Sequence, residues 1–553
     1  MWGLSADEPW RSVSTYRLDR VIIHSQSSHV DQALLLKRLK PVPTSYNREL
    51  CCMDGTRGFL LNKIITWATA EPSQNEGNTY WVYGSPGIGK TTLAHSISKR
   101  LSEGMQLTGA FFCRRDDQDL NEAGNILPTL IYQLAVIFPP FRSIVVKHLR
   151  DNPNVAPGSM KGSLLLQLIR SMPRHPMDNV VFVIDALDET GGTLSRPGIL
   201  RALTDAAAQV PWLRIVITSR PEIDIQRFFD APAHSSHMRY DLAADREASA
   251  DLRTFAQSEF NFVATRLRLP TPWPEESLFE KAISRANGLF IFIKTVVLAL
   301  EYSNDPIESL NATLQYSTGT GLKPLYGLYL SILKSRIPPN DGEFQRVIGV
   351  LLATAPYCSL CRETIAELAG VRPNIVRKWV DDLSPLLYED EGANNGVRVR
   401  HLSISDFFIS SECPSDSRVD PRDANIQLGI ACLTTMIDQL RFNICNLEDS
   451  RLANADIEDL QSRIEQNISD ALQYSCLHWS NHLCSTRKND NQHGQELLKK
   501  FFEGCYPLFW IEVLSLMGMV STCVPSIRGV MLTWLKVSVI QLGIICISNI
   551  ILA

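Results

Sequence analysis

Eight consecutive residues limit the possible folds of this chain more than any other segment, because they fit the pattern G-x-x-x-x-G-K-[ST] at every fixed position. They are Gly84, Ser85, Pro86, Gly87, Ile88, Gly89, Lys90 and Thr91. An apolar run typical of a strand, residues 79–83, ends directly before them, and a run with helical spacing follows. Glycines let such a loop curve so that successive backbone N–H groups face one anion, and the dipole of the following helix attracts the same anion. The segment therefore predicts a phosphate-binding loop between a strand and a helix.

The side chains of this loop predict a nucleotide ligand with magnesium. We expect Lys90 to reach the β- and γ-phosphates, and the Thr91 hydroxyl to ligate Mg²⁺. Thr92, at the start of the same helix, is expected among the nucleotide-binding residues. ATP or ADP with Mg²⁺ is the first expectation, and the loop by itself leaves GTP open.

Apolar runs on both sides of the loop predict the fold class. Besides residues 79–83, the candidate strands are 109–113, 180–184, 213–218 and 238–242. Segments with helical spacing separate them, and continuously apolar strands need both faces covered. We therefore expect an α/β P-loop NTPase domain, in which a mainly parallel sheet carries helices on both faces. Beyond residue 242 the strand signal almost disappears, and the rest of the chain is expected to be largely helical.

Acidic residues follow one of these strands. Asp185 ends the apolar run 180–184, and Asp188 and Glu189 lie in the turn after it. Ligands of open parallel sheets bind at the carboxyl ends of strands, so these carboxylates are expected beside the phosphate loop. There Asp185 would hold Mg²⁺, directly or through water, while Asp188 or Glu189 would orient or deprotonate the attacking water. The alternative is that the acids cap a helix N-terminus.

An arginine follows another strand. After residues 213–218 the chain continues with Ser219 and Arg220. At this edge of the sheet an arginine can reach a γ-phosphate and respond to its presence or loss. The alternative is a surface arginine that happens to follow a strand.

These motifs, in this order, resemble those of the NACHT class of signal-transduction ATPases (the STAND class) in the form common in fungi. The first part also resembles the nephrocystin-like NTPase domain. The resemblance covers about residues 45–520, and its motifs, including a winged-helix end, lie at 52–57, 109–112, 133–135, 184–189, 218–221, 273–274, 285–290, 401–408, 474–479 and 509–515.

The resemblance implies how such a chain works. It implies that the strand before Arg220 lies between those before Gly84 and Asp185. It implies an ADP-bound closed state, an ATP-bound open state, and self-association or binding of other signalling proteins after opening. A winged-helix histidine contacts the ADP β-phosphate in relatives, and His401 is the candidate here. The alternative is that His401, at the start of a helix, has a structural role.

The same resemblance implies a division into domains. The expected parts are an irregular N-terminal arm at 1–45, the P-loop NTPase domain at 46–242, a helical domain at 243–336, a winged-helix-like domain at 337–412 and a helical region at 413–553. The sensor repeats and effector domain usual in this class are not found in the sequence, so a truncated family member is one interpretation.

Charge and hydropathy limit the partners. A net charge of −5 and a pI near 6.2 disfavour nucleic acid, and the N-terminus lacks the apolar run of a signal peptide, so we expect a cytoplasmic protein. The chain ends in seventeen uncharged residues, 537–553, preceded by further apolar residues from 530. This segment fits either a buried terminal helix or a tail anchor in a membrane.

These observations together lead to two functional hypotheses. The first is a nucleotide-dependent switch in intracellular signalling, including fungal non-self recognition or incompatibility, that slow hydrolysis resets. The second is a nucleotide-bound scaffold without hydrolysis. Asp188 and Glu189 discriminate between them, because only the first hypothesis uses their chemistry.

Overall fold

The chain folds into two compact units, the first ending at Phe255 and the second beginning at Ala256. The computed structural model describes residues 32–71, 77–152, 162–171, 179–191, 196–231, 237–303, 305–316, 319, 321–338, 341–390, 395–449, 452–485 and 491–535. The first unit contains a parallel sheet, and the second is mostly helical within these ranges. The predicted fold class is therefore confirmed, whereas the finer division into five parts stays a prediction.

The sheet of the first unit has five strands among the described residues, in the order β2-β3-β4-β1-β5, and all pairs are parallel. The strands are β1 (Thr79–Tyr83), β2 (Leu107–Phe112), β3 (Val180–Asp185), β4 (Leu213–Ser219) and β5 (Met238–Asp241). Each predicted strand is present, with bounds that differ by two residues at most. The order places β4 between β1 and β3, as the resemblance implied.

Helices cover both faces of this sheet. They are α1 (32–37), α2 (Gly58–Thr69), α3 (Lys90–Glu103), α4 (Ile126–Ile137), α5 (Pro139–Asp151), α6 (Gly162–Arg170), α7 (Arg196–Gln209), α8 (Ile223–Asp230) and the start of α9 (Ala248–Leu267). On one face, Trp81, Phe182 and Ile217 join a buried core with α4, α5, α7 and α8. On the other face Tyr80 meets Trp67 of α2 edge-on at 5.2 Å. Because helices cover both faces, every residue of β3 and β4 is buried.

The second unit consists of helices and one short hairpin in its described part. Its helices are α10 (Glu276–Ala286), α11 (Phe290–Glu301), α12 (Pro306–Tyr316), α13 (Lys323–Arg336), α14 (Gly342–Thr354), α15 (Arg362–Ala369), α16 (Pro373–Asp382), α17 (Leu402–Ile409), α18 (Pro421–Gln439), α19 (Leu460–Asn467), α20 (Asp470–Cys484), α21 (Gln492–Glu503), α22 (Tyr506–Leu516) and α23 (Cys523–Val530). An antiparallel hairpin, β6 (Leu387–Glu389) and β7 (Val397–Val399), follows α16. Three helices, α14 to α16, precede this hairpin, and the winged-helix-like domain at 337–412 stays a prediction.

A buried hydrogen-bond chain joins α18 to α20. Asn425 donates its amide N–H to Pro421 O, which turns its Oδ1 towards Nδ1 of His482 at 2.9 Å. Nε2 of the same ring lies 2.7 Å from the Tyr474 hydroxyl. The ring therefore donates through Nδ1 and accepts through Nε2, the neutral tautomer. Burial, with a further contribution from His478, lowers the pKa of His482 to about 3, which keeps it neutral.

None of the helices that the structure describes combines the length and apolarity needed to cross a bilayer. After α23 the described chain ends in a π-helical turn, Met531–Leu535. The apolar segment that fits either a buried terminal helix or a tail anchor, residues 537–553, lies outside the described residues.

The edge strand β2 is closed by side chains rather than by another strand. Gln133 of α4 accepts the Ala110 N–H through Oε1 (2.8 Å) and donates through Nε2 to the Ala110 carbonyl (3.0 Å). Thr44 Oγ1 accepts the Phe112 N–H at 3.2 Å. The amide of Gln133 thus satisfies both backbone groups of one residue at an edge that would otherwise expose them.

We expect Gln133→Leu to lower the free energy of unfolding by about 2 kcal/mol, because it keeps the side-chain volume but leaves two partly buried backbone groups unpaired. Urea unfolding followed by circular dichroism measures this change. Gln226→Leu, at an exposed position of α8, is the control and should change stability by less than about 0.5 kcal/mol. Equal effects of the two substitutions would contradict this account of the edge.

Candidate functional site

The phosphate loop connects β1 to α3 and has the backbone that its glycines predict. Gly87 and Gly89 have φ angles of +79° and +98°, values that side-chain-bearing residues rarely adopt. At Gly84 an added Cβ would lie 3.1 Å from Ile88 Cγ2 and 3.3 Å from Leu242 Cβ, so the turn is packed tightly. Pro86 and Ile88 are buried, whereas Ser85 is exposed. The loop is therefore anchored by its apolar residues and open to solvent elsewhere.

Lys90 reaches back over this loop. Its ammonium donates to the carbonyls of Gly84 (2.8 Å) and Ser85 (3.0 Å). Burial lowers its pKa to about 8, although Asp188 and other carboxylates act in the opposite direction. Thr92 donates from Oγ1 to Gly89 O at 2.9 Å, which braces the junction between loop and helix. The cation is thus held at the loop, where a polyphosphate would need it.

Asp185, at the end of β3, contacts the loop directly. Its carboxylate accepts a hydrogen bond from the Thr218 hydroxyl, and the nearby Thr91 hydroxyl also lowers its pKa. The side chain is only 1% exposed, and this burial raises its pKa to about 6 against the lowering effect of the two hydroxyls. The structure therefore brings together the two residues predicted to serve magnesium.

Asp188 and Arg220 form a bidentate contact across the sheet edge. The Arg220 backbone N–H donates to Asp188 Oδ1 at 2.9 Å, and the guanidinium Nε lies 3.3 Å from Oδ2. Asp188 is almost fully buried, and the Arg220 side chain is 15% exposed. This pairing shows that Arg220 is not a plain surface residue, and it links the end of β4 to the turn after β3.

Glu189 is held by a loop that the sequence did not single out. Its Oε2 accepts the backbone N–H of Arg115 at 3.3 Å, and Asn121 donates from Nδ2 to the Arg115 carbonyl at 3.3 Å. Burial, followed by the charges of Asp188 and Asp185, raises the pKa of Glu189 to about 7. The charged run that begins at Arg114, directly after β2, is the only sequence signal that could have drawn attention to this loop.

His401 lies in the second unit, at the start of α17. Its Nδ1 accepts the Ser403 N–H at 3.2 Å and lies 2.6 Å from Ser403 Oγ, which in turn contacts the Tyr329 hydroxyl at 2.8 Å. These contacts give the ring an N-cap role. A contact between His401 and the nucleotide stays a prediction.

The residues of the first unit fit a magnesium–nucleotide complex. Backbone glycines with positive φ, a lysine held at the loop, and a hydroxyl beside a carboxylate are the donor set that such a complex uses. In the described part of the chain, no cluster of three or more His, Cys, Asp or Glu side chains could hold a metal ion. Mg²⁺ needs no such cluster, because it is usually bound by one or two protein ligands together with phosphates and water.

Comparison with known proteins agrees with this assignment. The nephrocystin 3 N-terminal family matches residues 55–220, which span the loop, the three acidic residues after β3 and Arg220. No curated protein sequence matches the chain. The matched family and the site residues define a P-loop NTPase.

Solved structures share the architecture only loosely. A Walker-type ATPase of Pyrococcus abyssi is 14% identical, with a TM-score of 0.30, over 67% of this chain and 99% of that one. The Aeropyrum pernix ORC1 protein, solved in complex with DNA, is 11% identical, with a TM-score of 0.31, over 68% and 96%. Cdc6p of Pyrobaculum aerophilum is 12% identical, with a TM-score of 0.29, over 64% and 91%. With every score well below 0.5, the ligands of these proteins are not transferred to this chain.

The raised pKa of Glu189 predicts a pH dependence of stability. Its ordinary value is 4.5 and its value in the folded chain is about 7. Between these values the unfolded chain has lost a proton that the folded chain still binds, so stability falls as pH rises. Without nucleotide, we expect Glu189→Gln to remove up to about 3 kcal/mol of this fall between pH 4.5 and 7.5.

Urea unfolding across this pH range, with EDTA present, measures the effect. Glu103→Gln, at an exposed position of α3, is the control and should keep the wild-type slope. If Glu189→Gln and the wild type show the same pH dependence, Glu189 does not have the raised pKa.

Proposed function

We propose that the chain is a nucleotide-dependent conformational switch that binds ATP and ADP with Mg²⁺ and resets by slow hydrolysis. Lys90 and Thr91 would contact the phosphates and the metal, with Asp185 as the second metal position. GTP is the alternative nucleotide, since the described contacts involve the phosphate side of the site only.

The contact between Asp188 and Arg220 is the observation that favours a switch over a passive scaffold. Arg220 would meet a γ-phosphate in this proposal, and both its backbone and its side chain are held by Asp188. A bound γ-phosphate would compete with Asp188 for the Arg220 guanidinium. Loss of the contact with Asp188 would then let the turn that carries Glu189 move. Gain or loss of the phosphate would thereby change two strand ends together.

In this proposal Glu189 is the general base that activates the attacking water for hydrolysis. A pKa of about 7 suits a general base at neutral pH, and the Arg115 N–H orients the carboxylate. Turnover is expected to be slow, on the order of 10⁻² s⁻¹, because the nucleotide serves to bias two conformations.

The biological setting of this proposal rests on the resemblance to NACHT proteins. It assigns the chain to intracellular signalling in the cytoplasm, including fungal non-self recognition, with copies of itself or other signalling proteins as partners. Nucleic acid is not proposed as a ligand, because the net charge is −5. DNA, which the Aeropyrum pernix protein was solved with, serves as a negative control in the binding assays.

Nucleotide content and turnover of the purified chain test the switch. We expect bound ADP in the wild type, loss of nucleotide in Lys90→Ala, and a fall in turnover of about a hundredfold in Glu189→Gln. Light scattering should show larger assemblies when Glu189→Gln is loaded with ATP. Lys99→Ala, on the same helix as Lys90, is the control and should behave as wild type.

Two other results would replace this proposal. Binding without hydrolysis or change in size in every variant would support the nucleotide-bound scaffold. Absence of nucleotide binding in the wild type would reject the site itself.

The role of Arg220 is tested separately. Arg220→Gln should keep ADP affinity within about threefold, because ADP lacks the γ-phosphate, and weaken binding of a non-hydrolysable ATP analogue about tenfold. Calorimetric titration measures both constants, and Arg239→Gln, at a surface ion pair of the same unit, is the control. An equal loss for both nucleotides would show that Arg220 does not discriminate between them.

A further inference from the structure

Arg57 is buried behind the phosphate loop and has no role in the proposed nucleotide contacts. It precedes α2 and has a φ of 55°, a left-handed conformation that is uncommon for a residue with a side chain. Its side chain is only 3% exposed. An unusual backbone conformation and a buried guanidinium are retained where surrounding contacts hold them, and such positions are frequent at functional sites.

Three separate segments hold Arg57. Its Nη2 donates to the carbonyl of Ile88, within the phosphate loop, at 3.0 Å. Its Nη1 lies 2.5 Å from Asp245, which follows β5 and is 4% exposed. Its backbone N–H donates to Asp251 in the first turn of α9 at 3.1 Å. Asp245 also accepts a hydrogen bond from Tyr240 of β5, so the carboxylate that fixes the guanidinium is itself fixed.

The contact to Ile88 determines which way one loop peptide faces. In a planar trans peptide the carbonyl of one residue and the N–H of the next point in opposite directions. Because Arg57 holds the Ile88 carbonyl on one side, the Gly89 N–H points to the other side of the loop. In a phosphate-binding loop, the backbone N–H groups bind the anion and the carbonyls must face away from it.

We propose that Arg57 is a positioning residue that presents the Gly89 N–H to a bound phosphate by holding the Ile88 carbonyl, with Asp245 keeping the guanidinium in place. The inference rests on the proposed nucleotide binding and adds a residue to it. Arginine suits this task because its planar fork can meet a carboxylate and a carbonyl at once, whereas lysine offers a single charged centre.

The role also makes the loop sensitive to α9. Asp251 holds the backbone of Arg57 and belongs to the first turn of that helix. A rotation of the Ile88–Gly89 peptide would therefore be transmitted to Asp251 through two hydrogen bonds, one from the Arg57 side chain and one from its backbone. A purely structural arginine would join the same segments but would leave nucleotide affinity unchanged once the protein is folded.

Calorimetric titration of the full chain with ADP and Mg²⁺ tests the proposal on Arg57→Lys and Arg57→Met. We expect both variants to bind ADP at least about tenfold more weakly while their far-ultraviolet circular dichroism stays that of the wild type. The matched controls are Arg239→Lys and Arg239→Met, at the surface pair with Asp230, which should bind ADP as wild type. Hydrogen exchange at saturating ADP should show less protection of the peptide containing Gly89 in the Arg57 variants.

The outcomes separate the two proposals. Variants that unfold more easily but bind ADP with wild-type affinity and protection would overturn the positioning role. Failure of the wild type to bind ADP would instead reject the proposed function, and this inference with it. If both Arg57 variants fail to fold, Asp245→Asn, which keeps an acceptor but removes its charge, decides: weaker ADP binding supports the proposal, and unchanged binding overturns it.

Discussion

Parallel pairing of β1, β4 and β3 is the constraint on which the site depends. Tyr83 is paired with Ser219, and Ile184 with Ile217, so the three strands end at nearly the same level. The phosphate loop, the acidic turn and Arg220 each leave the sheet at that level. No long loop is needed to bring them together, because the register already does so. The turn after β3 and the end of β4 therefore meet within hydrogen-bonding distance, as the contact between Asp188 and Arg220 shows.

The site holds three carboxylates away from solvent, and neighbouring polar and charged groups offset the free-energy cost of burying them. Asp185 is stabilised by two hydroxyls, Asp188 by Arg220, and Glu189 by a backbone N–H. Lys90, Arg220 and Arg115 contribute positive charge near these carboxylates. Desolvation still raises the pKa of Asp185 and Glu189, so the carboxylates are not fully compensated. A cation between the loop and Asp185 would relieve this repulsion, which is the electrostatic reason that such sites bind metal with the nucleotide.

The sequence predicted those features that depend on residues adjacent to one another in the chain. Strand bounds, the loop and Asp185 follow from hydrophobic runs and a fixed spacing, and the structure has them in place. Arg57 and Gln133 lie in segments that the resemblance included, but their roles were missed, because each acts on a backbone group far away in the chain and a backbone carbonyl or N–H leaves no residue-specific pattern. Arg115 was missed for a similar reason, since it contacts Glu189 through its own backbone N–H. His401 was predicted from the resemblance alone, and its observed contacts are those of an N-cap.

The closed edge of β2 has a consequence for assembly. At Ala110 the amide of Gln133 occupies the donor and acceptor positions that a neighbouring strand would use, and Thr44 does the same for Phe112. A second copy of the chain cannot extend the sheet there without first displacing both side chains. Pairing of another strand along β2 would first have to break these three hydrogen bonds, which disfavours edge-to-edge aggregation at that edge of the sheet.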